Sequence, residues 1–590
     1  MHYSKRGKIT VIALLVLLLV VDIPMYMSYL PISTTGHDLV FHLYRIQGIA
    51  DALRQGQFPV RVQFSQLNGY GYPVSVLYGD LLLYPAGILC LIGLSVTTAY
   101  KVFVLLINAA TILITFFVGR KMFSSISLGI LAAYLWTLAP YRLEDLYLRA
   151  SVGEYTALMF FPVLAYGLYG IFLRETGEFG FSWLWTTIGC SGIMISHTVS
   201  IILVFPVAFV FVIVGLVHNH SIIVWKRLAV SGVISIALTA WFIVPFLDFY
   251  KNVNMKVGAL TAEEKMDFAA LHAIQPSQLF MLFVPMKGAS DPAADIAQDM
   301  PFGVGWTLLS GVLLFIIAII MIDGNDQSKN WIKIGIISVM TTGCVLFAST
   351  SAFHWHFSRF AIWNEVISIV ATIQFPWRLL GVASALLVLI ACIGICLLKT
   401  ANGYRVLAVP VMALMIALCT VEGGVAITTW LQNTEPVGDF SSSEFKPTGN
   451  YGVMSGEYLP VNADVNTLIA NQSKYPDPVN VSLSSYEKKG ATIDLEIADA
   501  SSNGEITVPL LMYPHYTVRA ENAVSQFSLS ANRDGVMVIH VPDGYKGHVT
   551  VSFVEPVSWR IGETVSMLSL FAIIAGGVRR LFIKAKRQLR

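Results

Sequence analysis

Charge is what this sequence has least of. Of 590 residues only 13% are Asp, Glu, Lys or Arg, against roughly a quarter in an ordinary soluble domain. The formal net charge is +2, and no basic tract interleaved with aromatics occurs, so nucleic acid is not an expected partner. Cysteine is equally sparse. Cys90, Cys190, Cys344, Cys392, Cys396 and Cys419 all fall in apolar stretches, none at metal-ligand spacing. Cys392 and Cys396, one helical turn apart, read as small core residues, so neither disulfides nor a structural zinc is expected. A P-loop, a dinucleotide fingerprint, a zinc-protease motif and a serine-nucleophile elbow are absent, and with them any sign of energy coupling by nucleotide.

What the chain has instead is hydrophobic length. Apolar residues make up 55% of it, and a bilayer-spanning helix needs about 20 of them in a row. Such runs fall near 9–30, 99–119, 125–140, 154–173, 182–198, 199–217, 228–247, 303–322, 332–349, 378–398, 406–430 and 563–583. The expected fold is therefore a polytopic α-helical membrane protein of about 12 transmembrane helices. The first run is too long for a signal-peptide core and reads as a retained helix. Arg120-Lys121, Arg174, Lys226-Arg227, Lys329, Lys333, Lys399, Arg405 and the tail after Arg579 fall on one side. By the positive-inside rule that side, with both termini, is cytoplasmic in a multi-pass protein of the cell membrane. The stretch 81–94 contains Pro85 and Gly87 and reads as a re-entrant or interfacial helix, and 351–377 as an amphipathic segment at the interface.

The outer face then receives 31–78, about 140–153, 248–302 and 432–562. The last of these alternates in the manner of strands, with turn signals at Ser502-Asn-Gly, Arg533-Asp-Gly and Asp543-Gly. A C-terminal extracytoplasmic β-sandwich is expected. The predicted domains are thus 1–431, a membrane domain with a long first outer loop; 432–562, β-rich; and 563–590, a final helix with a basic tail.

Chemistry-bearing residues gather on the outer side. A helix starting at Asp38 would place Asp38, His42 and Arg45 at i, i+4 and i+7 on one face, with Leu43, Ile46, Ala50 and Leu53 on another suited to the membrane surface. The alternative is that Asp38 merely caps the helix. Tyr141-Arg-Leu-Glu-Asp-Leu-Tyr-Leu-Arg-Ala-Ser-Val-Gly-Glu154 crowds five charges between two spans. Within it Arg142 and Arg149 have Glu144 and Asp145 as possible partners, and Glu154 opens the next helix. Arg378, in Gln374-Phe-Pro-Trp-Arg, runs against the charge bias and wants a counter-ion, for which a phosphate or a lipid headgroup would serve. His197 reads as packed. Asp22 and Glu422, inside predicted spans, are functional candidates by position.

A long first outer loop with an Asp just after the first helix resembles the C-type membrane glycosyltransferases. More specifically, His37-Asp-Leu-Val-Phe-His42 and Ile49-Ala-Asp-Ala-Leu-Arg-Gln-Gly-Gln-Phe-Pro-Val-Arg61 resemble the bacterial 6-pyruvoyl-tetrahydropterin synthase-related membrane proteins. Gly69-Tyr-Gly-Tyr-Pro73, Pro140-Tyr-Arg142, Gly153-Glu154 and Gln374-Phe-Pro-Trp-Arg378 are similar to that group too. The resemblance implies a GT-C-like fold. It implies sugar transfer from a polyprenyl-phosphate-linked donor to an envelope glycan or lipid acceptor at the outer membrane face. It makes Asp38 the general base, with Glu154 as a second acid. Arg142, Arg149 and Arg378 become the candidates to meet the leaving phosphate, with His42 and Arg45 beside them. Some relatives bind a divalent metal through a second acid next to the first; His37 stands there in this chain, so the motif does not support a metal. The competing classes are a transporter or flippase for a lipid-linked precursor, which the single long loop and the lack of inverted repeats disfavour, and a non-catalytic scaffold for envelope assembly.

Overall fold

The computed structural model describes residues 5–23, 38–175, 180–281, 302–322, 326–401, 403–432, 453, 456–521 and 526–588. Among the described residues, eight of the apolar runs form helices long enough to cross a bilayer: Val96–Met122, Val152–Arg174, Thr198–His218, Ile222–Asn252, Ser328–Ser349, Pro376–Thr400, Arg405–Thr428 and Val557–Arg579. A ninth arises if Ile126–Thr137 and Pro140–Arg149, bent by 51° at the Pro140 junction, count as one. The chain is a multi-pass membrane protein. Of the first expected span, 24–30 lies outside the described residues, and the rest holds the apolar helix Lys8–Val21. Two further expected spans are shorter than supposed: 303–322 reduces to Trp306–Met321, and 182–198 is the 15-residue helix Ser182–Ser196. At 1.5 Å per residue such helices reach only about 25 Å, less than the hydrocarbon core. Hydropathy marks the apolar stretch but not where the backbone turns. Leu81–Leu91 is a short apolar helix, below spanning length. Helix Ala361–Val370 exposes Ile362, Val366 and Ile369 along one stripe, as an amphipathic segment should. His37, the side chain of Asp22 and most of 433–455 lie outside the described residues.

The chain divides into two compact units. One comprises Met1–Val40, Lys101–Gly232 and Thr261–Asp439; the other comprises Phe41–Tyr100, Val233–Leu260 and Phe440–Arg590. The first is helical. One of its helix pairs is drawn close by small residues, as expected where lipid offers no hydrophobic gain for association. A Cβ at Gly189 would lie 2.7 Å from the backbone N and Cα of Leu164, and one at Gly167 would lie 2.4 Å from the backbone N of Thr186. Helices Phe161–Tyr169 and Ser182–Ser196 therefore touch backbone to backbone. Glu422 is not a free intramembrane acid. It accepts the backbone N–H of Trp306 at 2.7 Å and of Thr307 at 3.2 Å, capping the helix that starts there.

The second unit joins first-loop residues and the β-rich segment in one core. Its strands are β1 (Asp477–Lys489), β2 (Thr492–Leu511), β3 (Tyr516–Ala520), β4 (Ser528–Ala531), β5 (Val536–Val541) and β6 (Gly547–Phe553). They form a single antiparallel sheet in the order β3-β6-β2-β5-β4, with β1 also on β2. The sheet nearly closes on itself, in place of the expected two-sheet sandwich. The reason is β2. Ile493, Leu495, Ile497, Ile506, Val508 and Leu510 all turn inward along one continuous strand. Ser502-Asn-Gly, read as a turn, is a register slip within it: Val479 faces Glu505 while Val481 faces Ala500. Val62, Tyr70, Tyr72 and Val76 of the first loop share the strands' core, and Leu511 donates its N–H to the carbonyl of Tyr70 at 3.0 Å. Buried Arg61 binds Glu563 at 2.6 Å and lies 3.5 Å from Glu555, under the ring of Trp559. Burial, with Glu563 close by, pushes the Glu555 carboxyl up to about 7 against the pull of Arg61. One arginine beside two acids is thus eased by a proton near neutrality.

Gly189→Val should lower the unfolding midpoint of the detergent-solubilised protein, since overpacking a close contact costs about 1–3 kcal/mol. An unchanged midpoint would refute the backbone contact.

Candidate functional site

The five-charge segment folds into three irregular pieces. Pro140–Glu144 is a short helix after the 51° bend. Asp145–Arg149 is a π-helical turn, closed by Ala150 in the left-handed region at φ 51°, ψ 39°. Helix Val152–Leu158 then carries Glu154 in its first turn, where the helix dipole favours a carboxylate. A second irregular piece is Gln374, at φ 64°, ψ −51°. It is the centre of a γ-turn in which Phe375 N–H donates to the Ile373 carbonyl at 2.7 Å. This positive-φ γ-turn is rare and strained. It sets the start of the short 3₁₀ turn Pro376–Arg378.

These pieces meet at Glu154, which is buried. Its Oε1 accepts the Tyr141 hydroxyl at 2.6 Å and its Oε2 accepts Arg149 Nη1 at 2.8 Å. Arg378 Nε stands 3.5 Å from the same oxygen. Arg149 Nη1 also binds Asp145 and the Tyr141 hydroxyl, while Arg378 Nη1 donates to the Ile373 carbonyl at 2.8 Å. Burying Asp145 and Glu154 together with Arg149 and Arg378 as paired ions is what makes so dry a cluster tolerable. The pairing leaves donors over: among the described residues Nη2 of Arg149 and Nη2 of Arg378 have no hydrogen-bond partner. One wall is aromatic. Arg149 lies 4.4 Å from the centroid of Trp377 and Arg378 lies 5.0 Å from that of Phe375. Trp377 stacks on Phe375 and Phe302, and Phe375 meets Phe268 and His272.

Asp38 sits just before helix Leu39–Arg54, half-buried. Its backbone N–H donates to the Arg149 carbonyl at 2.9 Å, and its charge acts on Arg149. Its carboxylate makes no hydrogen bond or ion pair among the described residues. His197 is buried, its Nδ1 2.9 Å from Ser200 Oγ, and its charge acts on Glu154.

So Asp38, Arg149, Glu154 and Arg378 come together. Arg142 has other partners: the Thr137 carbonyl, Asn108 Oδ1 at 2.5 Å and the Tyr155 hydroxyl at 3.1 Å. The pairing of Arg149 with Asp145 forms, but Arg142 does not take Glu144, whose two buried oxygens have no hydrogen-bond partner among the described residues. His42 and Arg45 belong to the other unit. Arg45 there binds Asp80 and the Gly79 carbonyl, faces Tyr78 at 4.1 Å and meets His42 Nδ1 at 3.1 Å. Leu43, Ile46 and Ala50 are wholly buried, so the helix is a core element and not one lying exposed on the membrane. Sequence reasoning missed Tyr141 and Trp377 as parts of the site, and Asn108 as the anchor of Arg142. The signal for Asn108 was an amide alone in an apolar span. Among the described residues no three His, Cys, Asp or Glu side chains are placed to hold a metal ion.

No family model matches the chain. It is similar to a protein of Lactococcus lactis subsp. cremoris (strain MG1363) described as "Uncharacterized protein", 25% identical over 232 residues. The match covers 37% of this chain and 36% of that protein, so the chain spans little more than a third of the curated relative it matches.

Glu154→Ala removes the anion shared by two buried arginines and should cost about 3 kcal/mol or more of stability. Adding Arg378→Met in the same protein should recover part of that loss, read as unfolding midpoints in detergent. Additive losses would show that the two residues are not a coupled pair.

Proposed function

We propose that this protein is a membrane glycosyltransferase of C-type, GT-C-like architecture, moving a sugar from a polyprenyl-phosphate-linked donor to a cell-envelope acceptor on the outer membrane face. The observation that carries the reading is the arginine pair. Arg149 and Arg378 are held in place by Glu154 and Asp145, yet among the described residues each keeps an Nη2 without a partner, and the Asp38 carboxylate, whose charge acts on Arg149, makes no hydrogen bond. A preorganised pair of donors suits charge that develops during reaction better than charge already present. In the proposed step an acceptor hydroxyl gives its proton to Asp38, and its oxygen bonds to the anomeric carbon. The bond from that carbon to the phosphate oxygen breaks, and polyprenyl phosphate leaves with the electron pair, its charge met by the two Nη2 groups. Phe268, partly exposed at the edge of the aromatic wall, and Phe375 behind it offer apolar faces to the sugar ring.

Backbone irregularity supports the same location. The π-helical turn at Asp145–Arg149, the left-handed Ala150 and the γ-turn at Gln374 all converge on Glu154. Strain of this kind clusters at functional sites because surrounding structure must hold it. The proposal places the β-rich segment outside the cell and both termini inside, following the distribution of Lys and Arg.

The test is sugar transfer from labelled polyprenyl-phosphate sugars in proteoliposomes. Asp38→Asn, with an unfolding midpoint like that of wild type, should lose about 100-fold or more in rate, the scale of a general base. Equal rates would remove Asp38 as the base and leave Glu154. No transfer from any donor, with lipid-linked sugar moving between leaflets, would replace the enzyme by a transporter.

A further inference from the structure

Away from the charged cluster, the helical unit holds a cavity of about 440 Å³, within the range of roughly 300–1,000 Å³ typical of small-molecule sites. Helices Val96–Met122, Val152–Arg174, Thr198–His218, Ser328–Ser349 and Pro376–Thr400 contribute its walls. Along most of its length the lining is apolar, with Val118, Phe161, Leu168, Phe211 and Leu389 representative. Val214 and Ile336 line it and are themselves exposed on the protein surface, so the cavity opens sideways into the hydrocarbon. Water gains nothing in such a space, and a lipid chain fills it at no cost in polar contacts.

The polar lining is not evenly spread. His218 ends its helix, while Asn330 and Lys333 lie in the first two turns of theirs, so the three gather at one mouth of the cavity. Arg120 and Lys121 occupy the last turn of the helix whose Met122 lines the same mouth. Among the described residues no Asp or Glu lines it. An apolar slot open to the bilayer, with cations gathered at one end and no anion there among the described residues, has the complement of an amphiphile with a negative head.

We propose that this groove binds an anionic phospholipid, one acyl chain lying in the slot and the phosphate meeting Lys333 and His218. The site is separate from the Arg149–Glu154–Arg378 cluster and does not depend on the glycosyltransferase reading. It makes a membrane lipid of one headgroup class a standing ligand of the protein.

The test is native mass spectrometry of the full chain in detergent, titrated with phosphatidylglycerol and phosphatidylcholine of identical chains. Wild type should retain phosphatidylglycerol preferentially, by about fivefold, one lysine's worth of attraction for an anionic head. Lys333→Glu should abolish the preference while chain binding persists, and Ala208→Phe, which fills the slot, should abolish retention of both lipids. Unfolding midpoints of the two variants, measured alongside, separate loss of binding from loss of fold. Equal retention of the two lipids by wild type, or a preference that survives Lys333→Glu, would overturn the assignment of the head. Retention unaffected by Ala208→Phe would overturn the groove.

Discussion

An ion taken out of water costs several kcal/mol unless something inside the protein replaces the water. This chain, poor in charge, nonetheless buries Arg45, Arg61, Arg142, Arg149 and Arg227 almost completely, and the rest of the structure depends on how each is satisfied. Arg45 is held by Asp80 and a carbonyl, and Arg61 by Glu563 and Glu555. Arg142 is held by an amide, a carbonyl and a tyrosine hydroxyl, and Arg227 by the carbonyls of Ile171 and Glu175. In each case the guanidinium fork ties together segments that packing alone would leave free to slide. Arg149 differs. One of its two carboxylate partners, Glu154, is shared with a second arginine, and its own surroundings are strained backbone.

That strain has a local logic. A π-helical turn widens the helix enough for Asp145 and Arg149 to pair beside Glu154, and Ala150 then reverses the chain into the next helix. Opposite them, the γ-turn at Gln374 brings the Ile373 carbonyl within 2.8 Å of Arg378 Nη1. Neither conformation is favourable alone. Both persist because four charges and a stacked aromatic wall over-determine the geometry.

Much of this was legible in the sequence, and the boundary of what was legible is physical. Hydropathy found the membrane character and the eight long helices, because transfer free energy depends on composition. At 182–198 and 303–322 the helices are shorter than the apolar runs, because composition does not mark where a helix starts and stops. Alternation found the strands, but not that β2 continues through Ser502-Asn-Gly, since a bulge and a turn share the same residues. The charge-dense segment and Arg378 were both visible as anomalies. Their convergence on Glu154 was not, because it is set by the packing of helices far apart in the chain. Helical spacing also showed that His42 and Arg45 are neighbours, as they are at 3.1 Å, but not that Asp80 waits for Arg45.

In the proposed reaction Arg149 and Arg378 receive the phosphate of a polyprenyl carrier. The most direct measurement is equilibrium binding of a short-chain polyprenyl phosphate and of the matching uncharged polyprenol, to wild type and to Arg378→Gln. Wild type should prefer the phosphate, and Arg378→Gln should lose much of that preference, with the affinity for the alcohol unchanged. Equal binding of phosphate and alcohol by wild type would contradict it.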